Sequence, residues 1–347
     1  MHFRWNYEKP TPEQSQVAKE LAAKLCISPV LTSLLVKRGV TTECAAKRFF
    51  RPQLADLINP FVMKDMDIAV ERLNDAMGRK ERILVYGDYD VDGCTAVALV
   101  YKFLRQYYSN IDYYIPDRYD EGYGVSNRGI DYAKQTGVKL IIILDCGIKA
   151  IEEIAYAKSL GIDFIVCDHH MPDEQLPNAV AILNPKQDND PYPFKDLCGC
   201  GVGFKFMQAF AKNNGIPFSR LIPLLDFCAV SIAADLVPVV DENRILAFHG
   251  LKQLNQNPSI GLKAIIDTCG LTGRELSMSD IVFKIGPRIN ASGRMESGRE
   301  SVDLLVERDF GVALQEAKHI DLYNEQRKDV DRHMTEEANQ IVARLDT

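Results

Sequence analysis

The chain has 347 residues, 46% of them hydrophobic, and a formal net charge of -7 at pH 7. That is enough apolar material for more than one structural unit, and the acidic balance argues against adhesion to nucleic acid over the whole surface while leaving room for a local basic track. No segment approaches the roughly 20 continuous apolar residues of a membrane span, the N-terminus lacks an apolar secretory core, and the nine cysteines, without zinc or redox spacing, read as reduced thiols of a cytoplasmic protein.

Residues 1–77 read as a helical N-terminal segment, with apolar residues at helical spacing over Pro12–Leu25, Pro29–Arg38 and Asp67–Met77. From about residue 80 strand and helix alternate. Strands are predicted at Ile83–Tyr86, Tyr113–Ile115, Leu140–Leu144, Phe164–Cys167 and Val180–Leu183, and helices at Cys94–Tyr107, Asn127–Gln135 and Ala150–Ser159. Such alternation implies right-handed crossovers, so the predicted fold class is α/β, a mostly parallel sheet flanked by helices. Asp188–Lys195, rich in Asp, Asn and Pro, reads as a loop. A helical stretch follows from Gly203, with breaks near Pro238, Pro258 and Gly270. Over Asp309–Thr347 apolar residues recur at helical spacing from Ala313 to Leu345, which predicts a long C-terminal connector helix leading to a second domain not contained in this sequence. The expected divisions are 1–77, 78–308 and 309–347.

The chemistry concentrates where predicted strands end. Asp90 and Asp92 follow the first strand, Asp145 follows Leu140–Leu144, and Asp168-His169-His170 follow Phe164–Cys167. On extended chain, residues i and i+2 point the same way, so Asp90 and Asp92 can face one cavity. In an open parallel sheet the C-terminal strand ends line the crevice where ligands bind. A single acid at such a place also serves as a turn former or helix N-cap. Together these acids form a repulsive cluster that divalent cations would neutralise. Asp235, in Ala233-Ala234-Asp235-Leu236-Val237-Pro238, adds a carboxylate at an apolar helix end, where burial demands a partner. The pattern reads as a two-metal phosphoesterase centre.

Val85-Tyr86-Gly87-Asp88-Tyr89-Asp90-Val91-Asp92-Gly93, Leu144-Asp145-Cys146-Gly147, Cys167-Asp168-His169-His170 and Ala234-Asp235-Leu236-Val237-Pro238 resemble the successive motifs of the DHH phosphoesterases. Gly286-Pro287-Arg288-Ile289-Asn290-Ala291-Ser292-Gly293-Arg294 and Arg118-Tyr119-Asp120-Glu121-Gly122-Tyr123-Gly124 narrow the resemblance to that family's single-strand-specific DNA exonucleases, over nearly the whole chain. The resemblance implies 5′-to-3′ hydrolysis of single-stranded DNA to 5′-mononucleotides in repair and recombination, with two Mn2+ or Mg2+ ions. By motif, Asp90 and Asp145 would hold one ion and Asp92, Asp145, His169 and Asp235 the other, with Asp145 as the bridge. His170 would touch the scissile phosphate or the attacking water, and Asp168 would orient the histidines. The same resemblance places Arg118 near the terminal 5′-phosphate and Arg288, Asn290 and Arg294 along the strand, where a guanidinium fork suits phosphate. Tyr119 and Tyr123 are either base-stacking or packed rings. Single-strand-binding protein and a RecQ-type helicase are the implied partners of a monomeric protein that needs no membrane.

Many members of the family place a metal-binding histidine four residues before the first aspartate, where this chain has Tyr86. That departure predicts a less firmly held first ion, with Asp88 in partial compensation. Two other readings are a small-substrate phosphodiesterase, acting on short oligonucleotides, cyclic dinucleotides or pyrophosphate, and a non-catalytic replication scaffold. Tyr86 and the Gly286–Arg294 motif speak against the first, the intact ligand set against the second.

Overall fold

The computed structural model of the protein describes Arg4, residues 8–295 and residues 297–345, leaving aside the side chains of residues 294, 295, 344 and 345. The chain divides into two compact units, residues 1–57 and 58–347.

The first unit contains helices α1 (Pro12–Leu25), α2 (Pro29–Lys37) and α3 (Glu43–Phe50). Thr11 and Gln14 form a reciprocal capping box at the start of α1, with Pro12 in the first turn where no N–H is needed. Ser28 and Thr42 cap the other two helices. Ala18, Leu21 and Val36 form the small core, beside which Thr32 Oγ1 donates to the Ala18 carbonyl at 2.7 Å. Helix α3 falls within the segment read as helical but was not singled out there, since its eight residues make only about two turns.

The second unit opens with α4 (Met66–Gly78), followed by β1 (Arg82–Gly87), α5 (Val91–Leu104), β2 (Ile111–Tyr114), α6 (Asn127–Gln135), β3 (Val138–Leu144), α7 (Ile151–Ser159), β4 (Asp163–Cys167) and β5 (Ala181–Leu183). The strands form a parallel sheet in the order β2-β1-β3-β4-β5. Helices cover both faces, so central strands can be apolar throughout, and β3 is buried from Leu140 to Leu144. Tyr86, Ile141, Ile143, Phe164 and Val166 pack with Ile130 of α6 and Ile154 of α7 on one face. Edge strand β2 begins earlier than predicted, at Ile111, and alternates buried Ile111 and Tyr113 with half-buried Asp112 and Tyr114. The chain leaves β1 for β2 on one side and returns to β3 on the other. That reversal opens a crevice beyond the C-terminal ends of β1 and β3.

The remaining helices are α8 (Gly199–Asn213), α9 (Leu225–Ala234), α10 (Asp241–Gln256), α11 (Ile260–Thr268), a turn α12 (Met278–Asp280) running through a π turn (Ile281–Ile285) into α13 (Gly286–Met295), α14 (Gly298–Val306) and α15 (Phe310–Leu345). Helix α8 starts before the predicted Gly203 because Gly199, Gly201 and Gly203 give its first turns low intrinsic propensity. Helices α5 and α8 lie on the other sheet face. α9 is apolar apart from Asp226 and Ser231 and is buried among α5, α8 and α10. α15 is 36 residues long. Ala313, Ala317, Ile320 and Tyr323 bury its first half, where it packs on α11 and α13, while Val330, Met334, Ile341 and Val342 of the second half are exposed.

Candidate metal centre

Sheet register aligns the acids. Gly87 of β1 pairs with Leu144 of β3, Leu144 with Cys167 of β4, and Cys167 with Leu183 of β5. The next residues along these four chains are Asp88, Asp145, Asp168 and Asn184, so a row of polar side chains crosses the crevice in one layer. The ladder continues one step further, as Asp145 N donates to Cys167 O at 2.9 Å and Asp168 N to Leu183 O at 3.0 Å. Asp145 has φ of +61°, a left-handed conformation that aspartate tolerates better than most residues and that costs backbone strain at a site.

Asp90 and Asp92 reach the same cluster by a route other than the strand alternation expected. Strand β1 ends at Gly87, and α5 begins three residues earlier than predicted. Asp90 is therefore the N-cap, its Oδ1 accepting from Gly93 N at 2.9 Å, and Asp92 lies in the first helical turn. The buried Asp92 carboxylate accepts from Gly199 N and Cys200 N, each at 2.7 Å, and from Ser231 Oγ at 2.7 Å. Two of these donors are free amides at the N-terminus of α8, whose dipole favours the anion. The sequence reading missed Gly199, Cys200 and Ser231. The one signal was the small-residue stretch Cys198-Gly199-Cys200, read only as failing to match zinc or redox spacing.

Asp168 is a hub. Its Oδ1 accepts from His169 N at 2.7 Å, from His170 N at 3.1 Å and pairs with His170 Nδ1 at 2.7 Å, while Oδ2 accepts from Ile148 N at 2.9 Å. Asn184 Nδ2 adds a bond to the His170 carbonyl at 2.9 Å. Burial opposes ionisation of Asp168, but the bonds from His170 outweigh it and hold the carboxyl below the ordinary range. The bond from Asp168 in turn raises the His170 pKa. With Nδ1 so engaged, Nε2 is the His170 nitrogen left for other partners, on a side chain that is 44% exposed.

His169 Nε2 stands 3.1 Å from Asp145 Oδ1, 3.8 Å from Asp92 Oδ2 and 3.8 Å from Asp235 Oδ2. None of these contacts has hydrogen-bond geometry, and both ring nitrogens of His169 and Asp145 Oδ1 are buried without a hydrogen-bond partner. Orphaned buried polar atoms of this kind cost free energy, and an electropositive group between Nε2 and the carboxylate oxygen would satisfy both. Adjacent ligands about 2.1 Å from one octahedral cation lie about 3 Å apart, which matches the His169–Asp145 separation. Asp145, His169 and His170 form one group of converging ligand atoms, and Asp92, His169 and Asp235 a second, each within 4.8 Å. Desolvation first, then neighbouring acids, pushes Asp145 well up, Asp90 up, and Asp88 and Asp235 up to about 7. These carboxyls resist ionising side by side, and bound divalent cations would reverse that preference. The donor set therefore fits divalent metal, and it brings together Asp90, Asp92, Asp145, Asp168, His169, His170 and Asp235.

The four residues expected along a nucleic-acid strand are placed differently. Arg118 is exposed, with its guanidinium 5.3 Å from the Tyr89 ring centroid, beside Asp90. Helix α13 passes this same turn, since a β-carbon on Gly293 would meet the Tyr89 carbonyl at 2.6 Å. On that helix Asn290 is half-buried. Arg288 is largely buried, paired with Asp321 of α15 at 2.8 Å and donating to the Lys284 carbonyl at 2.8 Å. The Arg294 side chain lies outside the described residues.

Fold and site together define a parallel α/β protein with a carboxylate–imidazole metal centre at the switch point of its sheet. Residues 82–232 match the DHH family, N-terminal domain. Over 340 residues the chain is 40% identical to the single-stranded-DNA-specific exonuclease RecJ of Bacillus subtilis strain 168, covering 98% of this chain and 42% of that protein. A crystal structure of exonuclease RecJ bound to manganese superposes with a TM-score of 0.74 at 29% identity, covering 82% of this chain and 71% of that one. RecJ of Thermus thermophilus in complex with Mn2+ gives a TM-score of 0.81 at 25% identity, covering 95% and 46%. The chain belongs to the DHH family and is of RecJ type. It spans about half the length of the curated relatives it matches.

Proposed function

We propose that this chain is the catalytic part of a metal-dependent exonuclease that degrades single-stranded DNA from the 5′ end to 5′-mononucleotides in repair and recombination. The observation that carries the reading is the convergence of Asp145, Asp92 and Asp235 on His169 Nε2, at 3.1, 3.8 and 3.8 Å, in a chain with RecJ relatives. Asp90 and Asp145 would hold one ion, and Asp92, Asp145, His169 and Asp235 the other. A mixed carboxylate–imidazole set suits Mn2+ and admits Mg2+. When bound, such ions supply Lewis-acid polarisation and charge neutralisation to a phosphodiester.

The chain's own groups do the rest. His170, fixed by Asp168, aims Nε2 at the open side of the cluster, where it can donate to a phosphate oxygen or to water. Arg118 supplies a bidentate donor for a terminal phosphate. The α8 amides and Ser231 hold the Asp92 carboxylate aimed at the cluster. In this reading residues 78–308 are the catalytic unit and 309–347 a connecting helix. Single-strand-binding protein and a RecQ-type helicase are the protein partners of a cytoplasmic monomer. No helix among the described residues is long and apolar enough to cross a membrane.

The test compares a long single strand, a duplex, a dinucleotide and pyrophosphate as substrates with Mn2+. Mononucleotides from the single strand, with the duplex spared, are the expected result. Cleavage of the dinucleotide or pyrophosphate without attack on the strand would replace this reading with a small-substrate phosphodiesterase.

A further inference from the structure

Tyr86 lies on β1, the strand that leads into Asp88, Asp90 and Asp92, and is 1% exposed. Its hydroxyl is not aimed at the metal centre. It donates to the Gly124 carbonyl at 3.0 Å and accepts from Ser126 N at 3.2 Å. The ring stacks on Tyr114 with centroids 5.3 Å apart, and it fits because position 129 is a glycine, a β-carbon on Gly129 falling 2.7 Å from Tyr86 Cε2. Burial above all raises the phenol pKa far above its ordinary value, so the hydroxyl stays protonated throughout the physiological range.

The loop held in this way runs from Asp117 to Ser126, between β2 and α6. Glu121 ties it internally, accepting from Tyr114 Oη at 3.0 Å, from Asp117 N at 2.9 Å and from Ser126 Oγ. Its outward side chains stand beside the metal centre. The Tyr123 ring lies 6.3 Å from the His170 ring and 6.5 Å from the Tyr89 ring, and its hydroxyl donates to the Asp145 carbonyl at 3.4 Å. Arg118 reaches over Tyr89 from the other end of the loop. The β1 backbone at Tyr86 pairs with Ile143 of β3, two residues before Asp145. One residue thus joins the strand pair that positions the acids to the loop that carries the cationic and aromatic groups.

We infer that Tyr86 is a positioning residue, whose hydroxyl sets the Asp117–Ser126 loop so that Arg118 and Tyr123 form a seat for the terminal phosphate monoester of a strand. The ligand in this inference rests on the nuclease reading above, whereas the anchor does not. A monoester carries more charge than an internal diester, so a fixed guanidinium beside the metal centre favours a phosphorylated end. A loop without its anchor must be ordered during binding, and that cost falls on KM rather than kcat.

Tyr86→Phe tests this, since it keeps the stacked ring and removes the oxygen alone. In the metal-free chain without DNA, amide exchange over residues 119–126 is expected to quicken about tenfold, the equivalent of losing one or two hydrogen bonds. In steady state with Mn2+, KM for a 5′-phosphorylated single strand rises about tenfold, kcat stays within about twofold, and the preference over a 5′-hydroxyl strand falls in step. The Mn2+ concentration for half-maximal rate does not change. Unaltered exchange would overturn the anchor. Faster exchange with KM and end preference intact would overturn the positioning role, and so would a uniform fall in kcat with a shifted Mn2+ requirement. If the parent chain releases nucleotides from neither strand, the nuclease reading is what fails, and the exchange experiment still decides the anchor.

Discussion

Gly199 approaches Asp145 so closely that a β-carbon on the glycine would lie 2.5 Å from Asp145 Oδ1. The N-terminus of α8 is thereby pressed onto the metal centre, with the Gly199 amide on Asp92 and its Cα against Asp145. Gly199→Ala must push the Asp145 carboxylate or the helix start aside. Misplacing such a group by about 1 Å costs on the order of a hundredfold in rate, so kcat should fall by about that factor. Circular dichroism should show the helices retained. A variant with parental kcat and Mn2+ requirement would mean that the close approach is not needed.

Asp168 satisfies three backbone amides and one imidazole. Asp168→Ala leaves these donors buried or half-buried without an acceptor, at about 1–3 kcal/mol for each buried one. Urea denaturation should show a loss of about 3 kcal/mol or more, with Asp168→Asn, which keeps an acceptor oxygen, losing less. Equal losses in the two variants would show that shape rather than hydrogen bonding holds the turn.

Lys205 and Glu242 form a buried ion pair at 2.9 Å, with Glu242 also accepting from Tyr192 Oη and from Ile58 N at 2.9 Å. Burial draws the Lys205 pKa down, so the pair holds its charge only through its partners. Removing one member strands the other, and Lys205→Met or Glu242→Gln should each cost about 3–5 kcal/mol. The double variant should cost less than the sum of the two. Additive losses in a double-mutant cycle would contradict the coupling.

Asp226, fully buried on α9, has its carboxyl pushed up to about 6, mainly by desolvation. The folded chain therefore keeps this proton over a range where the unfolded chain, with a pKa near 3.9, has released it. The stability that follows is fully present below the unfolded pKa and is lost as pH rises through about 6. Relative to Asp226→Asn, the parent chain should lose about 2 kcal/mol between about pH 4.5 and pH 7.5 in urea denaturation. A difference that does not change with pH would show that Asp226 is ionised in the fold throughout.

The sheet and the cluster were legible because both are written in short local signals. Apolar runs such as Leu140–Leu144 and Phe164–Cys167 are strands buried on both faces, and each hands its chain to an aspartate at the end that faces the crevice. What the sequence hid depends on partners far along the chain. The amides that hold Asp92 come from residues more than a hundred positions away, behind a glycine-rich helix start whose composition disguises it. The phenol of Tyr86 looked like a missing ligand, and only the packed loop shows what it binds. Arg288 was expected along the strand, and its pairing with Asp321 needed the path of α15 to become visible. The route of Asp92 was misread for a local reason. Two aspartates at i and i+2 look the same in sequence whether the chain is extended or turning into a helix behind an N-cap.

The central claim is that the acids around Asp145 would hold the divalent ions on which the proposed hydrolysis of a single strand from its 5′ end depends. The most direct measurement is Mn2+-dependent nucleotide release from 5′-phosphorylated single-stranded DNA labelled at either end, with this chain and with Asp145→Ala in parallel. The account predicts labelled mononucleotide from the 5′-labelled strand at the outset, late release of the 3′ label, and neither in the variant. Release that persists in Asp145→Ala, or that begins at the 3′ end, would contradict it.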